Sequence, residues 1–371
     1  MGISLQYAER HSVEFSASEL TGAIGDSITV LPIVVAVAAL TDYSIAHLLV
    51  GFAVFQIVWG LYYGLPVSVE PMKALAALAI AGGLSASELA GAGFLAGGIL
   101  LVVGQTGTLG RIEMYIGQPV IRGVQLAVAL LLVQIGVQLS LENIVLATGS
   151  VLVALVVTIS GYRQTSALIV LGIGVVVAGV ETGLQMPSLP ALTIAVPTVG
   201  ALLSPASIEG TVAQLAMTVG NAAVATSLLL SDYFDADVSA DELATSMGVM
   251  NLAAIPFGAI PMCHGSGGVA GKYAFGARTA GANIILGVLY ALAGVVAVGI
   301  VAAFPLAMLG VILALVAIEL SRTSFQSDSL PLTIVIGSLG LLTNVGIAFI
   351  AGLISYQILV RFPGKRGLLS Q

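Results

Sequence analysis

Long apolar runs broken by Gly, Pro and polar clusters set the organisation of this chain. The first half gives runs over 19–40, 45–63, a short 72–81, 87–103, 119–139, 144–160 and 166–180. A polar stretch with a candidate surface helix follows over 181–210, carrying Pro187, Pro190, Pro197 and Pro205. The second half gives 211–230, 241–255, a short 266–275, 280–303, 305–320, 330–342 and 345–360. The pattern predicts an all-α polytopic membrane protein of seven plus seven segments, in which the third of each seven is too short to cross a core of about 30 Å. Seven is odd, so the second half enters the membrane with the opposite orientation, and the halves form an inverted repeat about an in-plane pseudo-twofold axis. The boundaries read as a first repeat over 1–185, a linker over 186–210 and a second repeat over 211–371.

The two short runs carry matching punctuation. GLPVSVEPMKALAALAIAGG (64–83) holds Pro66, Pro71 and Met72; AIPMCHGSGGVAGKYAFG (259–276), with Pro256 just upstream, supplies Pro261 and Met262, and each of the three pairs is offset by 190 residues. Leu20, Gly25 and Asp26 match Leu215, Gly220 and Asn221 at an offset of 195. Two interrupted hydrophobic segments at corresponding places in two halves mark the expected binding site of a transporter.

Composition narrows the class further. Of 371 residues, 58% are hydrophobic and 8% charged, against about 25% charged in soluble domains, so lipid is the solvent. Glu9, Arg10, His11 and Glu14 interrupt the first fifteen residues, and the expectation is that no leader is removed. A single cysteine, Cys263, excludes an internal disulfide and any Cys-based zinc or iron–sulfur cage. The 45 glycines and 13 prolines point to close helix packing and broken helices.

The charges orient the chain. With the N-terminus inside, Arg10, Arg111, Arg122, Arg163, Lys272, Arg278, Arg322, Arg361, Lys365 and Arg366 all fall in inner segments, which leaves Lys73 as the one positive charge elsewhere. This bias predicts a multi-pass protein of the cell (inner) membrane with both termini cytoplasmic. The net charge of −7 resides mainly in loops: Asp42, Glu88, Glu142, Glu181 and Glu209 lie outside, and Asp232, Asp235, Asp237, Asp241 and Glu242 crowd one inner loop.

The short runs supply the candidate chemistry. A residue before proline avoids the α region, so 67–70 should be extended and a helix should begin near Pro71. A helix that starts in mid-membrane presents unpaired amides and about half a positive charge, which suits an anion. Ser68 adds a hydroxyl donor and Lys73 a full charge, with Glu70 beside it; the competing reading is that Lys73 only pairs with Glu70 or Asp26 and fixes packing. In the second run Cys263, His264, Gly265 and Ser266 precede a helix, and glycines let backbone amides approach a ligand closely. The competing reading is a helix-packing surface. His264 could bond the anion, titrate during transport, or be satisfied by a neighbouring carbonyl; Cys263 reads as packing. Asp26, with no basic residue near it in sequence, could pair with Lys73, carry a proton or make a plain polar contact, and Asn221 stands at its place in the second half. Glu319 should meet Arg322 three residues on. Gln56, Gln125 and Gln134 receive no role.

No enzyme signature is found. His11, His47 and His264 do not form a metal set, no phosphate-binding GxxxxGK[ST] loop is present, and the few basic residues do not outline a nucleic-acid surface. No cofactor is implied.

The stretches ELTGAIGDSITVLPIVVA (19–36), LPVSVEPMKALAALAI (65–80) and FGAIPMCHGSGGVAGKYAFGARTAG (257–281) resemble the signature blocks of the molybdate transporter family, distant relatives of the SulP sulfate transporters. The resemblance covers both halves. It implies the seven-plus-seven fold shared with SulP and nucleobase transporters, with a core domain carrying the substrate beside a gate domain and the site between two half-helix N-termini. Carried over, the site falls on Ser68, Glu70, Lys73, Cys263, His264, Gly265 and Ser266, with Asp26 and Asn221 from adjoining helices. Two positions depart from the family pattern, which has a neutral Gln where this chain has Glu70 and an Arg where it has Ala274. The chain is also expected to lack the regulatory STAS domain of typical SulP proteins, as the molybdate branch does.

The reading is therefore a secondary active transporter of tetrahedral oxyanions, molybdate first, with elevator-type alternating access and proton symport. Glu70, Asp26 and His264 are the proton-coupling candidates, and the partners are the oxyanion, the bilayer and a second copy in a homodimer. A sulfate or nucleobase carrier on the same fold is the alternative within transport. A non-transporting membrane sensor or scaffold is the alternative from a different class.

Overall fold

The computed structural model describes residues 13–183 and 194–361; Arg10, Pro187, Pro190, Lys365, Arg366 and the two termini lie outside the described residues. Each of the fourteen apolar runs carries a helix. In chain order the elements are α1 (Ala17–Leu40), α2 (Ile45–Tyr63), β1 (Glu70–Pro71), α3 (Lys73–Ile80), α4 (Ala86–Thr106), α5 (Leu109–Ile116), α6 (Gln118–Ser140), α7 (Ile144–Val157) and α8 (Ser166–Thr182). After the linker come α9 (Val199–Leu202), α10 (Pro205–Met217), α11 (Ala225–Phe234), α12 (Ala240–Ala254), β2 (Met262–Cys263), α13 (Ser266–Ala274), α14 (Gly281–Val296), α15 (Val298–Ala302), α16 (Leu306–Ser324), α17 (Leu330–Leu342) and α18 (Val345–Arg361).

Local chemistry sets where these helices start. Ser16, Ser85, Asn143, Ser204 and Ser239 each accept a bond from the amide three residues on, which satisfies one of the orphan donors of a helix start. At Ser85 the Glu88 side chain answers with a bond back to the Ser85 amide at 3.0 Å, completing a capping box. Between α7 and α8 the chain reverses through Gly161, whose φ of 90° only glycine adopts readily. A π-helical turn over Thr218–Val224 joins α10 to α11, so the first span of the second half begins at Pro205 and ends at Phe234.

The halves interlock rather than stand side by side. α1 packs on α13, α2 on α14 and α4 on α12, so every one of these contacts joins an element of one half to an element of the other. These helices form the core domain. α6 packs against α16, α17 and α18, and α7 and α8 lean on α16, which makes the gate. Small residues permit the approach: a Cβ at Gly136 would meet the Gly310 carbonyl oxygen at 2.7 Å, and one at Gly310 would meet that of Gly136 at 2.5 Å.

At the centre, β1 and β2 cross as an antiparallel pair, with Glu70 opposite Cys263 and Pro71 opposite Met262. The Met72 amide extends the pairing to the Pro261 carbonyl at 2.8 Å. This corrects one expectation. The first half-helix starts at Lys73 and not at Pro71, because residues 70 and 71 are extended into the strand pair. The second half-helix starts at Ser266. At eight and nine residues, α3 and α13 run only about 12 to 14 Å, so both end well inside a membrane core.

Candidate substrate-binding site

Two amide side chains hold the crossing strands in place. Asn251 on α12 donates to the Met262 carbonyl at 2.7 Å and accepts from the Met262 amide at 2.8 Å. Gln56 on α2 donates to the Val69 carbonyl at 3.1 Å. Both are fully buried, and they occupy equivalent places at the same 195-residue offset that relates Asp26 to Asn221. Gln56 had no role in the sequence reading; the repeat offset was the signal that could have assigned one.

Around the crossing lies a buried charged network. Asp26 on α1 accepts from Gln56 Nε2 at 2.7 Å and from the Ser68 hydroxyl at 2.5 Å, and it pairs with Lys272 Nζ at 3.1 Å. Lys272 on α13 also donates to Gln56 Oε1 (2.9 Å), Asn283 Oδ1 (2.7 Å) and the Val67 carbonyl (3.2 Å). Asp26 and Lys272 are both 0% exposed. Lys272 was counted among the inner-face cations; the structure buries it fully and pairs it with Asp26. It lies in the last turn of α13, where the packing of α13 on α1 carries it to Asp26 instead of to solvent. Lys73 is therefore not the one cation of the buried charged network, and Asp26 pairs with Lys272 rather than with Lys73.

Glu70 closes a second pair next to the first. Its Oε2 accepts from Lys73 Nζ at 2.5 Å, and its Oε1 accepts from the Gly268 amide at 2.6 Å and from the Thr29 hydroxyl at 3.2 Å. Gly268 stands in the first turn of α13, so the carboxylate rests on a helix N-terminus, where amide and dipole favour negative charge. Glycine is needed at two points here. A Cβ at Gly265 would run into the Glu70 carboxylate, and one at Gly268 would run into Ser68 Oγ and Asp26 Oδ1.

The first half-helix differs from expectation. Its N-terminal amides at Ala74 and Leu75 are not open to a ligand, since Gln214 Oε1 on α10 accepts from them at 3.0 and 3.4 Å. Gln214 Nε2 in turn donates to Thr218 at 3.0 Å. Of the two half-helices, it is α13 whose first turn offers a backbone amide to the charged cluster, whereas α3 contributes the Lys73 side chain.

The remaining expected residues divide. His264 Nδ1–H donates to the Ser68 carbonyl at 2.9 Å, and its Nε2 meets the Ser246 hydroxyl at 2.8 Å. The ring lies edge-on to Trp59 and Tyr63, each with its centroid 6.0 Å away, so both nitrogens and both sides are committed to protein. Cys263 is buried in β2, with Sγ 3.9 Å from the Pro71 carbonyl. Ser266 opens α13 half-buried. Asn221 is not brought into the cluster; it lies in the π-helical turn, where Arg122 donates to its Oδ1 at 3.3 Å and its Nδ2 donates to Gln125 at 3.4 Å. Gln125 bonds on to Thr323, so this group ties the core to gate helices α6 and α16. Glu319 meets Arg322 at 3.1 Å as expected, and also Arg163 at 3.1 Å.

Comparison with known proteins places this geometry in a family. A family model described as a molybdate transporter of the MFS superfamily matches residues 18–132 and 206–320, more than half of the chain. Molybdate transporter 2 of Arabidopsis thaliana is 30% identical over 84% of this chain and 80% of its own. Molybdate transporter 1 of Chlamydomonas reinhardtii is 25% identical over 94% of this chain and 92% of its own. Among solved structures, the transmembrane domain of the cyanobacterial bicarbonate transporter BicA superposes with a TM-score of 0.62 at 15% identity, covering 91% of this chain and 96% of that one. Murine Solute Carrier 26 family member A9, an anion transporter in the inward-facing state, gives a TM-score of 0.71 at 13% identity over 97% of this chain and 71% of that one. At these identities the two structures establish the fold.

Proposed function

The chain belongs to the molybdate transporter family, and from that premise we propose that it takes up tetrahedral oxyanions, molybdate first, as a secondary active transporter. One observation carries this reading: the Gly268 amide, the Lys73 ammonium and the Thr29 hydroxyl converge on a single carboxylate where two half-helices meet. These are the donors an oxyanion needs, and they are already gathered on one point. Charge-assisted bonds of this kind are about twice as strong as neutral ones, and glycine at 265 and 268 leaves the approach open. The substrate site is accordingly built around Ser68, Glu70, Lys73, Thr29 and the 263–268 backbone, beside Asp26.

The division into an interlocked core and a separate gate supports an elevator-type movement, in which the core carries the site past α6 and α16. Buried Glu70 and Asp26 support coupling to protons. The distribution of Arg111, Arg122, Arg163, Arg278, Arg322 and Arg361 along the chain supports a cell-membrane protein with cytoplasmic termini, and a homodimer is part of the same proposal. The two separate stretches matched by the family model support repeats over 1–185 and 211–371 joined by 186–210.

Uptake of labelled molybdate into proteoliposomes, with sulfate as competitor, tests the reading. Saturable uptake driven by an inward proton gradient is expected, and the absence of saturable uptake of either anion would sink it.

A further inference from the structure

Resting on the oxyanion reading above, we propose that the Glu70 carboxylate is a tethered competitor of the substrate: it holds the anion position at the N-terminus of α13 until an oxyanion displaces it, and it takes up a proton as it leaves.

The donors decide the matter first. Asp26 is locked by Ser68, Gln56 and Lys272, and Lys272 is shared among Asp26, Gln56, Asn283 and the Val67 carbonyl. Gln214 covers the α3 amides. The bonds an oxyanion can gain in this cluster are those Glu70 would give up, from Gly268, Lys73 and Thr29. Shape agrees: the Cβ-free backbone at Gly265 and Gly268 forms a seat filled by the Glu70 carboxylate itself.

Access comes second. Glu70 is fully buried, but its neighbours Thr29, Lys73 and Ser266 are partly exposed and Gly267 is exposed. A Cβ built on Gly267 would lie 3.9 Å from both Glu70 Oε1 and Thr29 Cγ2. The carboxylate therefore sits one residue beneath an open surface, whereas Asp26 sits behind it.

Charge comes third. The titratable groups facing Glu70 are Lys73 from α3, Asp26 from α1, Lys272 from α13, Cys263 from β2 and Tyr290 from α14. Their formal charges, with that of Glu70, are two positive and two negative, so a dianion would enter a site with no net attraction. Opposite an ionised carboxylate it would also meet direct repulsion. One proton from water onto a Glu70 carboxylate oxygen removes that repulsion and leaves Lys73 free for the oxyanion. The donor in solution, hydronium or a buffer acid, gives up its bond to that proton, and no other covalent bond forms or breaks.

Calorimetry on the purified full chain tests this, with molybdate titrated between about pH 6 and 8 in buffers of different ionisation heat. If binding carries one proton in, affinity should weaken by about tenfold for each unit rise in pH, with close to one proton taken up per anion. Glu70→Gln should bind molybdate with an affinity that is flat across this range and with no proton uptake. A flat wild-type profile without proton uptake overturns the proposal, and so does a Glu70→Gln protein that keeps the wild-type slope. So does a Glu70→Gln protein that melts like the wild type but no longer binds molybdate, because Glu70 would then be a ligand and not a competitor. Should Glu70→Gln not fold, the wild-type proton count decides alone. If neither protein binds molybdate, tungstate or sulfate, the oxyanion reading itself fails, and this proposal with it.

Discussion

Lys272 Nζ lies 3.1 Å from Asp26 Oδ2, and neither side chain touches solvent. The pair joins α13 of the second half to α1 of the first, so it ties a half-helix of one repeat to the opening helix of the other. Breaking a buried pair from one side leaves a charge with no partner, which costs about 3 to 5 kcal/mol. Lys272→Met and Asp26→Asn should each lower the melting temperature of the detergent-purified protein strongly. The double variant should recover part of that loss, because no uncompensated charge then remains. Additive losses in the double variant would show that the two residues act separately.

Lys73 is the exposed member of the neighbouring pair, with 23% of its side chain open. Lys73→Ala alone is ambiguous, since it also strands the Glu70 carboxylate. The comparison that isolates its role is Glu70→Gln against Glu70→Gln with Lys73→Ala, where no buried carboxylate is stranded in either. Removal of the cation should weaken molybdate binding by roughly 30-fold or more, the size expected for losing one side of a desolvated charge contact. Equal affinity in the two proteins would remove Lys73 from the site.

What the sequence showed and what it hid follow from range. Hydropathy, proline and glycine act over a few residues, so the fourteen segments and the half-helix beginning at Ser266 could be read directly, and the Glu70–Lys73 pair stood as one of two pairings open to Lys73. Lys272 could not. Its partner is far away in the chain, and nothing local distinguishes a lysine in a nine-residue helix at the centre of a membrane from one in an inner loop. Gln214 was hidden for the same reason, because its partners are backbone amides of the other half. Gln56 and Asn251 were legible in principle, since they obey the 195-residue offset already visible at Gly25 and Gly220. Asn221 obeys that offset too but turns to Arg122 and Gln125, so the repeat fixes position along a helix without fixing the partner.

The strand clamp gives a further test. Asn251 satisfies both the amide and the carbonyl of Met262, and Leu in its place would leave two buried backbone groups unpaired. At about 1 to 3 kcal/mol for each such group, Asn251→Leu should destabilise the protein by roughly 2 kcal/mol or more. It should also weaken substrate binding, because β2 leads directly into α13. Asn251→Asp keeps an acceptor for the Met262 amide but cannot donate to its carbonyl, so it too should melt early. A fully stable Asn251→Asp protein would argue against the clamp.

Adjacent glycines in the first turn of α13 should respond in opposite ways. A methyl group at Gly268 would press on Ser68 Oγ and Asp26 Oδ1 and come within 2.5 Å of Glu70 Oε1, and all three belong to a network that cannot relax without losing bonds. Gly268→Ala should therefore lose both thermal stability and molybdate binding. At Gly267 the same methyl would have only Glu70 Oε1 and Thr29 Cγ2 near it, each at 3.9 Å, which is ordinary contact. Helix propensity favours Ala over Gly by about 1 kcal/mol, so Gly267→Ala should fold at least as well as the wild type. Melting curves and molybdate titrations on the two variants check this, and a Gly268→Ala protein that matches Gly267→Ala in both would mean that the seat beneath Glu70 is looser than the structure has it.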